Sequence, residues 1–198
     1  GVKFDGTLQG GVLEVREAGI DRIAGADLHL FGRASGLGAR PTIDLHLIGR
    51  APDPAALFAL AGVDLPAALK ELSFDGRVNG GLDKLAFEAE LDADGGKLQA
   101  KGEAIGLDRQ PRIQATVALR HPSHARVAQL LGLPAAGDLG PVSLDLAWGA
   151  NGRNSIKAAL DLGPASLDLD GTLDGFGGAS PAGSFTLTAT HPDLAALL

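Results

Sequence analysis

The chain has 198 residues, 45% hydrophobic and 21% charged, which suits an ordinary globular core and is too apolar for wholesale disorder. Lys and Arg total 17 against 24 Asp and Glu, and the net charge of −7 opposes the phosphate neutralisation that nucleic-acid binding needs, so no nucleic-acid partner is expected. With 29 Gly, 11 Pro, 7 Phe, 1 Trp and no Cys, the core must be aliphatic and turns frequent, and disulfides and thiolate metal sites are excluded without fixing the compartment.

The chain opens on strand-like sequence, Phe4-Asp5-Gly6-Thr7-Leu8-Gln9-Gly10-Gly11, and that pattern returns at Phe74-Asp75-Gly76-Arg77-Val78-Asn79-Gly80-Gly81, an offset of 70 residues. The same offset carries Leu28, Gly32 and Ala34 onto Leu98, Gly102 and Ala104, and relates Pro41, Pro111 and Pro181 as well as Pro52, Pro122 and Pro192. The chain therefore reads as one repetitive segment over 1–198, with units at roughly 1–62 (partial), 63–132 and 133–198.

After the first four strands, Asp53-Pro54-Ala55-Ala56-Leu57-Phe58-Ala59-Leu60 has helical spacing, and the repeat predicts short helices near 53–61 and 123–131. Asp53, Ser123 and Asp193 stand at N-cap positions, with Gly62 and Gly132 as stops. The longest apolar run, Pro54 to Val63, falls far short of the roughly 20 residues that span a bilayer.

Elsewhere strict alternation predicts strands with one apolar face. The first of these runs place Phe74 and Val78, then Leu85, Phe87 and Leu91, then Leu98, on that face. It continues with Ile113, Val117 and Leu119, and with Val142, Leu144, Leu146 and Trp148. Ile156 and Leu160, Leu167, Leu169 and Leu173, and Phe185 and Leu187 complete it. Asn79-Gly80-Gly81, Asp94-Gly95-Gly96, Asn151-Gly152 and Gly163-Pro164 are predicted turns, and connections this short force antiparallel neighbours.

About four strands and one short helix per unit make a mainly β fold of roughly twelve strands, about 55 Å across at 4.8 Å per strand. Its apolar face must be buried in a sandwich, closed in a barrel or curled into an open trough partly covered by the helices. A 70-residue unit favours an elongated, strongly twisted antiparallel sheet forming such a groove.

The strand with Gly-Thr/Arg-Leu/Val, the Gly-rich turn, the alternating strands, and the closing Pro, strand and His191-Pro192-Asp193-Leu194-Ala195-Ala196-Leu197-Leu198 resemble the AsmA-like proteins, repeating β-groove proteins. The likeness is best over 110–175 and 181–198. It implies a Gram-negative, inner-membrane-anchored protein whose periplasmic β-taco binds or conducts phospholipid acyl chains on their way to the outer membrane, in outer-membrane biogenesis. The apolar residues named above would line the groove, and membrane contact would come through parts of the parent protein outside this chain. The chain begins without an initiator Met or signal peptide and ends inside a helix-like run, so a longer parent is expected, with edge strands free to self-associate. The alternative is a purely structural β-repeat, a stalk or adhesin-like passenger, whose apolar face closes as a dry core.

Motifs for chemistry are weak. Asp168-Leu169-Asp170-Gly171-Thr172-Leu173-Asp174 resembles the haloacid-dehalogenase phosphatase signature, but only 24 residues follow and none is Lys, and alternation makes Asp168 and Asp170 the outward residues of a strand. The same alternation argues against a calcium loop there. His121 and His124 lack a third metal ligand, and Asp44 and His46 lie on the polar face of a strand. Gly32 to Gly38 has no phosphate-cradle Lys or Ser/Thr, and no Ser nucleophile elbow occurs. No catalytic residue, metal or cofactor is expected.

Overall fold

The computed structural model describes residues 1–23, 25–36, 40–60, 69–108, 112–134, 137–149, 155–174 and 182–191. The strands are β1 (Val2–Gln9), β2 (Val12–Ile23), β3 (Ala26–Ser35), β4 (Thr42–Ala51), β5 (Leu72–Gly81), β6 (Lys84–Ala93), β7 (Gly96–Ile105), β8 (Arg112–His121), β9 (Val142–Trp148), β10 (Ser155–Leu162), β11 (Ala165–Asp174) and β12 (Ala182–Thr190). Helices α1 (Pro54–Leu60) and α2 (His124–Leu130) follow β4 and β8. The predicted cap Asp193, the stop Gly62 and the turn Asn151-Gly152 lie outside the described residues.

The strands form one open antiparallel sheet in sequence order, β1 to β12, so every strand pairs with its chain neighbours and the two end strands do not meet. A closed barrel would pair β1 with β12, and a Greek-key sandwich would depart from sequence order; the sheet does neither.

The offset of 70 reappears in the pairing. Leu28 stands opposite Gly49 and Leu98 opposite Leu119, and Leu47 opposite Gly76 as Val117 is opposite Leu146. The helices begin at Pro54 and His124, again 70 apart.

Turn chemistry explains two of the tight hairpins. Gly10 and Gly11, and Asp94 and Gly95, all have positive φ and form two-residue loops that match the twist of the flanking strands. Asn79-Gly80-Gly81, predicted as a turn, instead lies inside β5, and the chain reverses at Leu82-Asp83. Gly80 has φ of 124° there and packs against the backbone of Lys84 and Leu85, so glycine serves a close strand approach at this point.

Helix α2 starts at Ser123, whose side chain accepts the Arg126 N–H at 3.2 Å, and ends at Gly132, with φ of 69°; the Leu133 N–H reaches Ala128 O at 2.8 Å, closing a Schellman motif. In α1 the Asp53 carboxylate accepts the Ala55 N–H at 3.2 Å. Both caps stand where the sequence put them.

Among the described residues, full burial is confined to few. Ala51, Leu72, His121 and Val142, with Pro54, are buried at the strand ends where the helices attach, and Ala26 joins Ala51 and Leu72 in a small cluster. None of α2 is buried. The expectation that this helix covers the apolar interior therefore gives way to a clamp at the margin of the sheet, held by polar contacts that a seven-residue helix can reach.

Candidate functional site

The pairing register places the predicted apolar residues on one face. One row runs across all twelve strands: Val2, Ile20, Leu28, Gly49, Phe74, Leu91, Leu98, Leu119, Leu144, Leu160, Leu167 and Ala189, each opposite the next. A second row joins Val78, Phe87, Gly102, Ala115, Trp148, Ile156, Gly171 and Phe185. A third joins Val117, Leu146, Ala158, Leu169 and Leu187, and Leu85 reaches Ile113 through Ala104. Leu173 holds the register position opposite Gly183.

This face is not sealed. Of the nineteen predicted lining residues whose side chains are described, only Val142 is buried, at 5% exposure; Ile113, Phe185 and Leu187 are exposed, and the others are half-buried. A dry two-layer core would bury such leucines almost completely.

The rings on this face lie flat. A Cβ built on Gly76 would stand 2.5 Å from the tip of Phe74, one on Gly102 would stand 2.7 Å from Phe87, and one on Gly183 would stand 2.7 Å from Phe185. Each Phe covers a neighbouring glycine, the arrangement by which an aromatic ring shields exposed strand backbone. The face is accordingly smoother than its Phe and Leu content suggests.

The opposite face is polar and carries cross-strand ion pairs. Lys97 binds Glu90 at 2.5 Å, Arg120 holds Asp145 through two contacts at 2.9 and 2.6 Å, and Lys157 meets Asp170 at 2.7 Å. Hydrogen bonds from Lys97 and Gln99 hold the Glu90 carboxyl below its usual range, and the Glu90 hydrogen bond raises Lys97.

A depression of about 710 Å³ lies on this polar side, across β6 to β12. Its side is fixed at β12, where Thr186 and Thr188 line it and Leu187 between them does not. Ala118, Ala147 and Ala159 floor it among charged neighbours such as Glu88, Glu90, Lys101 and Asp168. Of the predicted lining residues, only Val117, Leu146 and Leu169 contribute. Sequence reasoning missed this concavity, although one outward alanine on each of three consecutive strands, Ala118, Ala147 and Ala159, was the available signal.

Residues singled out for chemistry are dispersed. Asp168 and Asp170 sit on the polar face of β11, opposite Ala159 and Lys157. His121 Nε2 is 3.2 Å from Asp94 O, and its Nδ1 is 3.0 Å from the Ser123 N–H. His124 instead accepts the Leu139 N–H at 2.8 Å and lies 3.3 Å from Asp138. His46 meets Asp75 at 2.9 Å across β4 and β5, while Asp44 stands opposite Arg33 and Asn79. Among the described residues no group of three His, Asp or Glu is placed to hold a metal, and no helix is long and apolar enough to cross a membrane.

Comparison with protein-family models, with curated proteins and with solved structures finds no match to this chain.

Proposed function

We propose that this chain is a lipid-binding and lipid-conducting groove module of the AsmA-like type, carrying phospholipid acyl chains on its apolar face between inner and outer membrane in outer-membrane biogenesis. The observation that carries the reading is an apolar row continuous across twelve strands and left half-exposed. Rows perpendicular to the strands give an acyl chain a path along the sheet, and rings lying over glycine leave few obstacles to sliding. In this reading the 70-residue units curl into a twisted trough, and a parent protein anchored in the inner membrane holds it in the periplasm. The polar depression does not suit acyl chains, since Glu88, Glu90 and Asp168 would lose hydration without gaining a partner. The module has no catalytic role.

The test is lipid bound per protein, read by mass spectrometry of the purified chain. Leu144→Asp puts a charge in the longest row and imposes a desolvation cost of several kcal/mol wherever lipid lies, so bound phospholipid should fall while circular dichroism still shows the sheet. Asp168→Arg on the other face should leave lipid unchanged. Equal loading in both folded variants, or no lipid in the parent, would favour the purely structural repeat.

A further inference from the structure

The polar side of the sheet carries a groove of its own. Two rows of side chains line the depression of about 710 Å³, one running from Glu88 on β6 to Thr186 on β12 and the other from Glu90 to Thr188. A second depression, of about 600 Å³, shares Glu88, Lys101, Thr116 and Ala147 with the first and continues to Arg77 and Asn79 on β5. Each is of the size of a small-ligand cleft. Together they cross the strands from β5 to β12, a path of about 34 Å at about 4.8 Å per strand.

The middle of this path is lined by small residues. On β8, β9 and β10 the two rows hold Thr116, Ala118, Ala147 and Ala159, together with Asp145 and Lys157. Asp145 is held by Arg120, which lies outside the depression, and Lys157 by Asp170. Lys97, also outside, holds Glu90. By contrast Glu88, Lys101 and Asp168 are exposed and, among the described residues, have no ion-pair or hydrogen-bond partner. They leave acceptors and a donor turned to the groove on both sides of the alanines, with the Thr116, Thr186 and Thr188 hydroxyls beside them.

The chemistry of the lining narrows the ligand. Glu88, Glu90, Asp145, Asp168 and Asp170 outnumber Lys101 and Lys157, which repels phosphates, sulfates and uronates. No aromatic ring lines the first depression, so a planar base finds no ring to stack on. An acyl chain would strip water from the carboxylates and return nothing. A sugar hydroxyl returns a charge-assisted hydrogen bond for the water it displaces, and the alanine methyls accept the C–H face of a pyranose. Outward residues on successive strands repeat at about 4.8 Å, close to the length of one pyranose unit in an extended glycan.

We infer that this polar groove binds an extended, neutral oligosaccharide laid across β6 to β12, with Glu88 and Asp168 accepting hydroxyl protons, Lys101 donating to a sugar oxygen and a ring seated on Ala118, Ala147 and Ala159. The groove lies on the face opposite the proposed lipid path, so the two readings stand or fall separately.

Cellohexaose and chitohexaose are the probes, each titrated into the isotope-labelled chain and followed by amide shifts. At least one should give saturable shifts around Thr116, Ala147 and Asp168. Ala147→Leu, which fills the middle of the groove, should abolish them, and Asp168→Asn should weaken binding several-fold. Glu14→Gln, an exposed carboxylate on the same face at β2, should leave it unchanged. If Ala147→Leu disturbs the sheet by circular dichroism, Ala118→Val tests the same place. Absence of a saturable shift with either glycan into the millimolar range would overturn the proposal, as would undiminished binding in a folded groove-filling variant. Hexalysine shifting these amides where neither glycan does would assign the groove to a cationic peptide and overturn it equally.

Discussion

Asp94, in the turn between β6 and β7, forms an ion pair with Arg126 of α2, and its side chain keeps only 8% of its exposure. The pair ties the helix to a hairpin 32 residues away in sequence. Asp94 also offers its carbonyl to His121, so helix, turn and strand end share one polar knot. Removing the guanidinium leaves a carboxylate nearly out of water. Arg126→Ala should therefore cost about 1–3 kcal/mol and free α2 first. Faster amide exchange in His124–Leu130 than in β6 and β7 is the expected readout; uniform acceleration across the sheet would refute a local clamp.

Gly102 packs against the backbone of Gln114, with the Phe87 ring at 2.7 Å and Ala115 Cα at 2.9 Å from where a Cβ would stand. Backbone cannot yield as a side-chain tip can. Gly102→Ala should destabilise the chain by about 1–3 kcal/mol through overpacking, whereas Ala100→Gly, two residues earlier on the same face, should cost about 0.5–1 kcal/mol through chain entropy alone. Thermal melts of the two variants, in the opposite order of midpoint, would contradict the close approach.

Asp138 sits before β9, and its carboxyl is lowered to about 2, chiefly by the Ser123 side chain and then by the Gly140 N–H at 3.1 Å. A folded value below the unfolded one means that the carboxylate supports the fold fully above about pH 4 and loses that support as pH falls toward 2. Amide shifts of Gly140 and Ala125, followed by NMR, should titrate near pH 2 and become flat in Asp138→Asn. A midpoint near 4 would show that the loop does not hold the carboxylate.

Alternation made the strands legible because one side of the sheet is solvated: Leu160 between Ala159 and Asp161 on β10 states its own direction. The helix caps Asp53 and Ser123 were legible because capping depends on residues adjacent in sequence. Gly80 was not, since glycine marks a tight turn and a close strand approach with the same letter. Nor was the depression on the polar side, which Ala118, Ala147 and Ala159 line from three separate strands. Likewise Asp94 reads locally as a hairpin residue, and its partnership with Arg126 exists only once α2 is folded back.

A sheet ordered β1 to β12 without a crossover has a kinetic consequence. No strand must wait for a distant segment, so closing each hairpin costs little loop entropy and the ladder can zip from any starting pair. Cooperativity then passes only between nearest neighbours, as in other one-dimensional arrays. A break placed in β6, such as proline at Ala89, should split unfolding into two separate transitions, one for the β1 to β5 side and one for the β7 to β12 side, where a sandwich of the same length would collapse as a whole.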